Sequence, residues 1–292
     1  MLIIDLGVVQ RRPHFPTLRN ALSWTGLWIL LALLFDVFIW VEYGGTRALE
    51  FLTGYVVEEA LSVDNVFVFI IILSYFAVPK ELHHRVLFVG VLSAIILRAV
   101  FIVAGAALVS KFHPILYLLG AFLIFTAVKL LMQKETEIHP ERNPVVRFMR
   151  RYFPITSSYE GQRFTVRRNG KLYLTPLVIV LAMIESSDIA FATDSIPAIF
   201  AITQDTFIIF TSNICAILGL RALYFVVSGF MQKFRYLKTG LSFVLGFIGL
   251  KMLIEPWLTI PILFSLLAIV AILAISILAS LLPLKKGPPS GT

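Results

Sequence analysis

Long runs of apolar residues dominate the chain, and short polar, glycine- or proline-containing segments separate them. About 20 apolar residues are needed for an α-helix to cross the roughly 30 Å hydrocarbon core of a bilayer. Turn-forming pairs such as Gly44-Gly45 and Val78-Pro79 end several of these runs. The pattern predicts an all-α polytopic membrane protein with about eight transmembrane helices, near 21–41, 48–76, 86–109, 114–132, 172–200, 206–231, 237–254 and 258–282.

Composition supports a membrane protein. Hydrophobic residues make up 59% of the 292 residues, charged residues only 14%, and the mean hydropathy is +0.90. Because about a quarter of the residues of a soluble domain are charged, this chain has too few charges for a mainly aqueous surface. Cys215 is the one cysteine of the sequence, so the chain has neither an intrachain disulfide nor a cysteine metal cluster.

The basic residues predict the orientation of the spans. If successive spans alternate in direction, 19 of the 25 Lys and Arg residues lie on the side of the N-terminus and only Arg47 and Lys111 on the other. Because cytoplasmic loops carry excess Lys and Arg, both termini and the 134–171 loop are expected in the cytoplasm, with the spans in the plasma (inner) membrane. The net charge of +8 then reflects topology and contact with anionic lipid, and we expect no nucleic-acid partner.

The 134–171 segment is the one sizeable polar connection between spans. It is interpreted as a basic linker, and the alternation of Arg163–Leu174 around Asn169-Gly170 predicts a hairpin with a type I′ turn. This divides the chain into an N-terminal segment with the first span (1–47), three spans (48–133), the basic cytoplasmic loop (134–171), three more spans (172–254), and the last span with a cytoplasmic tail (255–292).

The two groups of three spans carry a similar order of charges. Glu58 and Asp64-Asn65 align with Asp188 and Asp194-Ser195, Arg98 aligns with Arg221, and Lys129 aligns with Lys251. Because each unit has an odd number of spans, the second would enter the membrane from the opposite side. We therefore predict an inverted repeat, a construction of many secondary transporters whose sites lie between the halves.

Acidic residues inside spans are costly, at about 2.5–3.5 kcal/mol each at the helix centre on insertion scales. The predicted spans contain Glu58, Glu59, Asp64, Glu185, Asp188 and Asp194, against the counter-charges Arg98, Lys129, Arg221 and Lys251. The two remaining negative charges could be neutralised by one divalent cation or by protons on two carboxyl groups.

The neighbouring residues offer oxygen ligands. Asn65 and Ser195 follow the two aspartates, Asn213 is a possible additional ligand, and Pro197 leaves the carbonyl of Thr193 without its helical donor. Oxygen-only sites suit Mn²⁺, Mg²⁺ or Ca²⁺. Glu185 and Asp188, at i and i+3, are expected to converge on one ion.

A structural interpretation stands beside this one. The acids could pair with Arg98 and Arg221 only to fix helix packing, and Lys129 and Lys251 lie near span ends, where lysine side chains reach the interface. The four basic residues are therefore kept as candidate ion-pair or gating residues.

The run from Phe51 to Val68 and the run from Glu185 to Ala198 resemble the two signatures of the TerC/Alx family. Residues 211–213 and 217–222 also resemble it. The resemblance implies an integral membrane protein of the LysE-like transporter superfamily, associated with Mn²⁺ export and with tellurite resistance. It places the six acids named above, Asn65 and Ser195 around the ion path. Members of this branch usually begin with an additional span, of which only Met1–Val9 is present here, so the expectation is a start further upstream or a lost first helix.

The sequence favours an exporter of a divalent cation, most simply Mn²⁺, by alternating access, with no organic cofactor. The alternative is a membrane scaffold in metal- or tellurite-stress resistance or in membrane-protein biogenesis that uses the basic loop to hold partners. A tellurite oxyanion carrier would need the arginines to line the path, which the surplus of acids disfavours. A Gly-x-Gly-Asp signature of intramembrane aspartyl proteases is absent, and we expect no enzymatic activity.

Overall fold

The structure is a computed structural model that describes residues 17–112, 114–132, 143–168, 170–230 and 236–281. Within these ranges the chain forms nine α-helices and one two-stranded sheet. In chain order they are α1 (Leu18–Tyr43), α2 (Gly45–Tyr75), α3 (Lys80–Lys111), α4 (Ile115–Met132), α5 (Pro144–Tyr152), β1 (Thr165–Arg168), β2 (Lys171–Leu174), α6 (Pro176–Phe200), α7 (Thr206–Phe230), α8 (Leu237–Ile254) and α9 (Ile262–Leu281).

The eight predicted spans correspond to the eight long helices, which confirms the polytopic all-α class. Seven of them, all but α2, are long and apolar enough to cross a membrane. Helix α2 has ample length, 31 residues, but contains Glu50, Glu58, Glu59 and Asp64. The predicted start of the fifth span at 172 is wrong, because Lys171–Leu174 is a strand and α6 begins at Pro176. The predicted stub Met1–Val9 lies outside the described residues.

Local sequence explains the helix ends. Gly44 is the single residue between α1 and α2, and its φ is 90°, a conformation that L side chains rarely adopt. Pro144 and Pro176 begin α5 and α6, where a missing N–H breaks no helical hydrogen bond. Asn143 caps α5 by accepting hydrogen bonds from the backbone N–H groups of Val145 and Val146.

The hairpin is confirmed. Strands β1 and β2 pair antiparallel from Thr165 opposite Leu174 to Arg168 opposite Lys171, which leaves a two-residue connection. Gly170 has φ of 75°, as a type I′ turn requires, while Asn169 lies outside the described residues, so the turn type stays a prediction.

Contacts between loops agree with the predicted alternation of sides. Arg85, near the start of α3, donates to Gln162 Oε1 at 3.1 Å, and Tyr159 Oη donates to the Phe76 carbonyl at 2.7 Å. Partial burial raises the pKa of Tyr159, so its hydroxyl keeps the proton that it donates. The hairpin and the α2–α3 turn thus share one face, which we call the loop face. On the opposite face Arg47 pairs with Asp205 at 3.1 Å.

Helices α2, α3, α6 and α7 form the largest buried cluster, and a second cluster joins α2 and α6 to α4, α8 and α9. Helices α1, α4 and α9 expose apolar side chains such as Val41, Phe125 and Phe264, as expected of lipid-facing helices. Helices α4 and α8 approach closely, because a Cβ at Gly249 would lie only 2.8 Å from the Gly120 carbonyl oxygen. Helix α2 packs against α7, and α6 packs against α3. An inverted repeat would produce this reciprocal pairing of the first helix of each unit with the second helix of the other, but the repeat stays a prediction.

Candidate functional site

A buried charge cluster lies where four helices meet. Arg98 of α3 is 1% exposed, and its Nη1 donates to Glu58 Oε1 of α2 while its Nη2 donates to Asp188 Oδ1 of α6 at 3.4 Å. Nη1 also lies within hydrogen-bonding distance of Ser195 Oγ at 3.4 Å and of Asn213 Oδ1 of α7 at 3.3 Å. We call these five residues the arginine cluster.

The arginine cluster carries one positive and two negative formal charges. Glu58 and Asp188 are 1% and 2% exposed, so neither carboxylate is screened by solvent. A buried charge is tolerated only when a partner and hydrogen bonds compensate it. A single guanidinium therefore stabilises two carboxylates from different halves of the chain, and Asp188 Oδ2 has no hydrogen-bond partner among the described residues.

A cavity of about 570 Å³ adjoins this cluster on the loop face. Asp64 of α2 and Asp194 of α6 both line it, as do Asn65 and Ser187. Its outer lining includes Asn143, the cap of α5, which indicates that the cavity reaches the loop face. Two carboxylates from different halves of the chain, Asp64 and Asp194, thus line one cavity.

Three polar side chains surround the cavity aspartates. Thr126 Oγ1 of α4 donates to Asp194 Oδ1 at 3.1 Å. Lys129, one turn further along α4, interacts electrostatically with Asp194, and Lys238 at the start of α8 interacts with Asp64. The cavity therefore combines two carboxylates with two lysines that also line it.

Ser195 connects the cavity with the arginine cluster. It lines the cavity, is 2% exposed, and its hydroxyl accepts from Arg98. It follows Asp194 directly in α6, so adjacent residues of one helix belong to the two groups. A cation in the cavity would reach the buried carboxylates past this hydroxyl.

Among the described residues, Glu185 and Glu59 form no hydrogen bond with the arginine cluster, although Glu185 interacts electrostatically with Asp188. The Ser93 hydroxyl donates to Glu185 Oε1 at 2.5 Å, so Glu185 and Asp188 have different partners rather than a shared one. The carboxylate of Glu59 faces α7, since a Cβ at Gly219 would lie 3.9 Å from each of its oxygens. Glu185 Oε2 and Glu59 Oε2 are buried without a hydrogen-bond partner among the described residues.

The remaining predicted basic residues are separated from the cavity. Lys251 lies near the opposite face, where it interacts electrostatically with Glu255 and Glu50. Arg221 of α7 is half-buried and is not among the residues that line the cavity. In the described ranges, no three His, Cys, Asp or Glu side chains gather closely enough to hold a metal ion.

Thr126, Lys238 and Ser93 join the candidate site only in the folded structure. Thr126 precedes Lys129 by three residues, so helical spacing could have placed it on the same face of α4. Lys238 was counted only as a topological charge at a span end. Ser93 carries no signal of its own, because a serine inside a span usually donates to its own helix.

Comparisons with known proteins place the chain in a family. Residues 43–287 match the model of the family described as "Integral membrane protein TerC family". The chain is 48% identical to an "Uncharacterized membrane protein" of Myxococcus xanthus, over 99% of this chain and 91% of the relative. It is 47% identical to the "Putative membrane-bound redox modulator Alx" of Escherichia coli (strain K12), over 94% of this chain and 89% of the relative.

A relative in Rickettsia felis, an "Uncharacterized membrane protein", is 39% identical over 97% of this chain and 94% of its own length. No solved structure matches the chain. The family model covers α2 to α9, including the cavity and the arginine cluster, so the resemblance of the two acidic signatures is confirmed. The chain belongs to the TerC family of integral membrane proteins.

Proposed function

We propose that this protein exports a divalent cation, with Mn²⁺ as the first candidate, through the cavity and past the arginine cluster. The observation that carries the proposal is that Asp64 and Asp194, from the two halves of the chain, line one cavity that adjoins further buried carboxylates. Intramembrane acids that surround a cavity mark ion pathways in membrane proteins.

The donor set supports a hard divalent cation. The cavity offers carboxylate, amide and hydroxyl oxygens, and neither histidine nor cysteine lines it in the described residues. Such oxygens suit Mn²⁺, Mg²⁺ and Ca²⁺ alike. The family resemblance favours Mn²⁺ among the three.

The position of the cavity gives a cation access from one side of the membrane. The cavity lies on the loop face, which the distribution of basic residues predicts to be cytoplasmic. A cation would enter from that side and replace the lysine charges beside Asp64 and Asp194. Passage to the other face would require α2 and α6 to move relative to α4 and α8, as alternating access between two repeats provides.

Other functions fit the geometry less well. A tellurite oxyanion carrier would need free arginines along the path, but Arg98 is bound by two carboxylates. The printed name of the Escherichia coli relative indicates redox modulation, yet a dithiol pair cannot form within a chain whose one cysteine is Cys215. A scaffold remains the alternative, because the hairpin exposes basic side chains on the loop face.

The test is cellular Mn²⁺ content and Mn²⁺ tolerance in an exporter-deficient host. Wild type is compared with Asp64→Asn and Asp194→Asn at matched membrane abundance. Glu160→Gln is the matched control, because it also removes one carboxylate but lies outside the spans, where it pairs with Arg168. We expect wild type and the control to lower Mn²⁺ content and both aspartate variants to fail.

Variants that lower Mn²⁺ as wild type does would show that the cavity acids are structural, and the scaffold function would then lead. A second measurement, Mn²⁺ uptake into inverted vesicles with competing Mg²⁺ and Ca²⁺, separates the three cations. Inhibition by Mg²⁺ and Ca²⁺ as strong as that by unlabelled Mn²⁺ would contradict selectivity for Mn²⁺.

A further inference from the structure

Helix α5 is a short basic helix outside the long spans. Its sequence contains Arg147, Arg150 and Arg151, all exposed, and no acidic residue occurs between positions 143 and 159. Within the described part of the chain none of these three arginines forms an ion pair. The helix therefore presents positive charge that no acidic side chain of the described residues neutralises.

The same helix has two apolar faces. Val146 is fully buried in the large helical cluster and Met149 packs against that cluster, which fixes α5 to the protein. Val145, Phe148 and Tyr152, at i, i+3 and i+7, point outward and are 44%, 56% and 61% exposed. The rings of Phe148 and Tyr152 pack together with centroids 4.6 Å apart. An outward apolar stripe next to arginines is typical of helices that lie in a membrane interface.

A cleft of about 450 Å³ runs beside the C-terminal end of α5. Apolar side chains line most of it, including Phe153, Ile155 and Ile179, and Arg150 contributes the one charged side chain of its lining. This combination fits a molecule with an anionic head and an apolar body.

The surrounding elements place this cleft where spans leave the bilayer. Phe76, which follows the last residue of α2, and Pro176, the first residue of α6, both line it. Headgroup phosphates lie at this depth, and basic residues close to an anionic leaflet are attracted to it.

We propose that α5 and the adjoining cleft bind an anionic phospholipid of the surrounding membrane, with its phosphate on the α5 arginines and its apolar part against Phe148 and Phe153. The occupant is chosen on charge complementarity and depth: three unpaired arginines, an apolar stripe and an apolar cleft at the ends of two spans. The site is independent of the cavity aspartates and of the transported ion. Since Asn143 caps α5 and also lines the cavity, bound lipid would hold the helix next to the cavity entrance.

The experiment uses the full chain purified in a neutral detergent. Binding of phosphatidylglycerol, phosphatidylcholine and inorganic phosphate is measured by native mass spectrometry and by the shift of the thermal unfolding midpoint. The test variant is Arg147→Gln/Arg150→Gln/Arg151→Gln. The matched control, Arg163→Gln/Arg167→Gln/Lys171→Gln, removes the same charge from exposed positions of the hairpin region on the same face.

Phosphatidylglycerol is expected to bind wild type and the control. The test variant should bind it about 100-fold more weakly, since each basic residue near an anionic surface contributes roughly fivefold. Phe148→Ser changes one exposed ring, so it should fold normally, weaken lipid binding severalfold and leave the response to inorganic phosphate unchanged.

Several outcomes would overturn the proposal. Equal binding of phosphatidylcholine would remove the role of the negative charge, and equal protection by inorganic phosphate would assign the site to free phosphate. An equal loss in the control would mean that net charge alone acts. If phosphatidylglycerol does not bind wild type, the lipid proposal is wrong, and the α5 surface would instead suit an acidic protein partner. Transport failure of the aspartate variants bears on none of these results.

Discussion

The arginine cluster makes a quantitative prediction about stability. Replacing Arg98 by Gln removes the guanidinium that holds Glu58 and Asp188, which are 1% and 2% exposed. Breaking a buried ion pair by removing one partner costs about 3–5 kcal/mol, because the other charge stays buried. Two carboxylates are left here, so Arg98→Gln is expected at the upper end of that range.

The charge count also predicts that Glu58→Gln destabilises the protein less than Arg98→Gln does. Glu58→Gln leaves the pair Arg98 and Asp188 with no net charge, so its cost should be about 1–2 kcal/mol, the range of a lost buried hydrogen bond. In the double variant Glu58→Gln/Arg98→Gln a single carboxylate is unpaired. The double variant should therefore be more stable than Arg98→Gln alone, with an interaction free energy of about 1–3 kcal/mol.

The assay is reversible unfolding of the full chain by sodium dodecyl sulfate in mixed micelles, with the free energy of unfolding compared at one detergent composition. Wild type, both single variants and the double variant complete the cycle. If Arg98→Gln costs under about 1 kcal/mol, or if the two single effects add, the side chains do not form the observed cluster and the reasoning is refuted.

Three further predictions concern other contacts. Gly249→Ala should lower the free energy of unfolding by about 1–3 kcal/mol in the same assay, because the new Cβ would lie 2.8 Å from the Gly120 carbonyl oxygen. An unchanged free energy of unfolding would mean that α4 and α8 are not in contact at this position. Thr126→Val removes the 3.1 Å donor to Asp194 at nearly constant volume, and should change Mn²⁺ transport by severalfold at unchanged abundance, whereas wild-type kinetics would exclude the contact. Arg168→Gln removes an ion pair whose arginine is 57% exposed, so its effect on the unfolding free energy should stay below about 1 kcal/mol; a larger loss would show that the hairpin is held by this pair.

Much of the membrane architecture could be predicted because it depends on local sequence. Hydropathy over about 20 residues decides whether a segment enters a bilayer, and helix lengths follow from bilayer thickness. The predicted start of α6 is too early, because residues 172–174 fit both the predicted hairpin and the apolar run of the span, and the structure keeps only the strand. The buried acids could also be predicted, because the free-energy cost of placing a carboxylate in the bilayer depends on its depth within the span.

The order of residues along the chain predicts the number of long helices, the alternation of their basic ends and the acids that must be compensated. Which charges meet depends on how the helices pack. Arg98 binds Glu58 and Asp188, respectively 40 and 90 residues away. Helical spacing fixes which residues share a face, but the neighbour of that face depends on packing between helices, which no local pattern encodes.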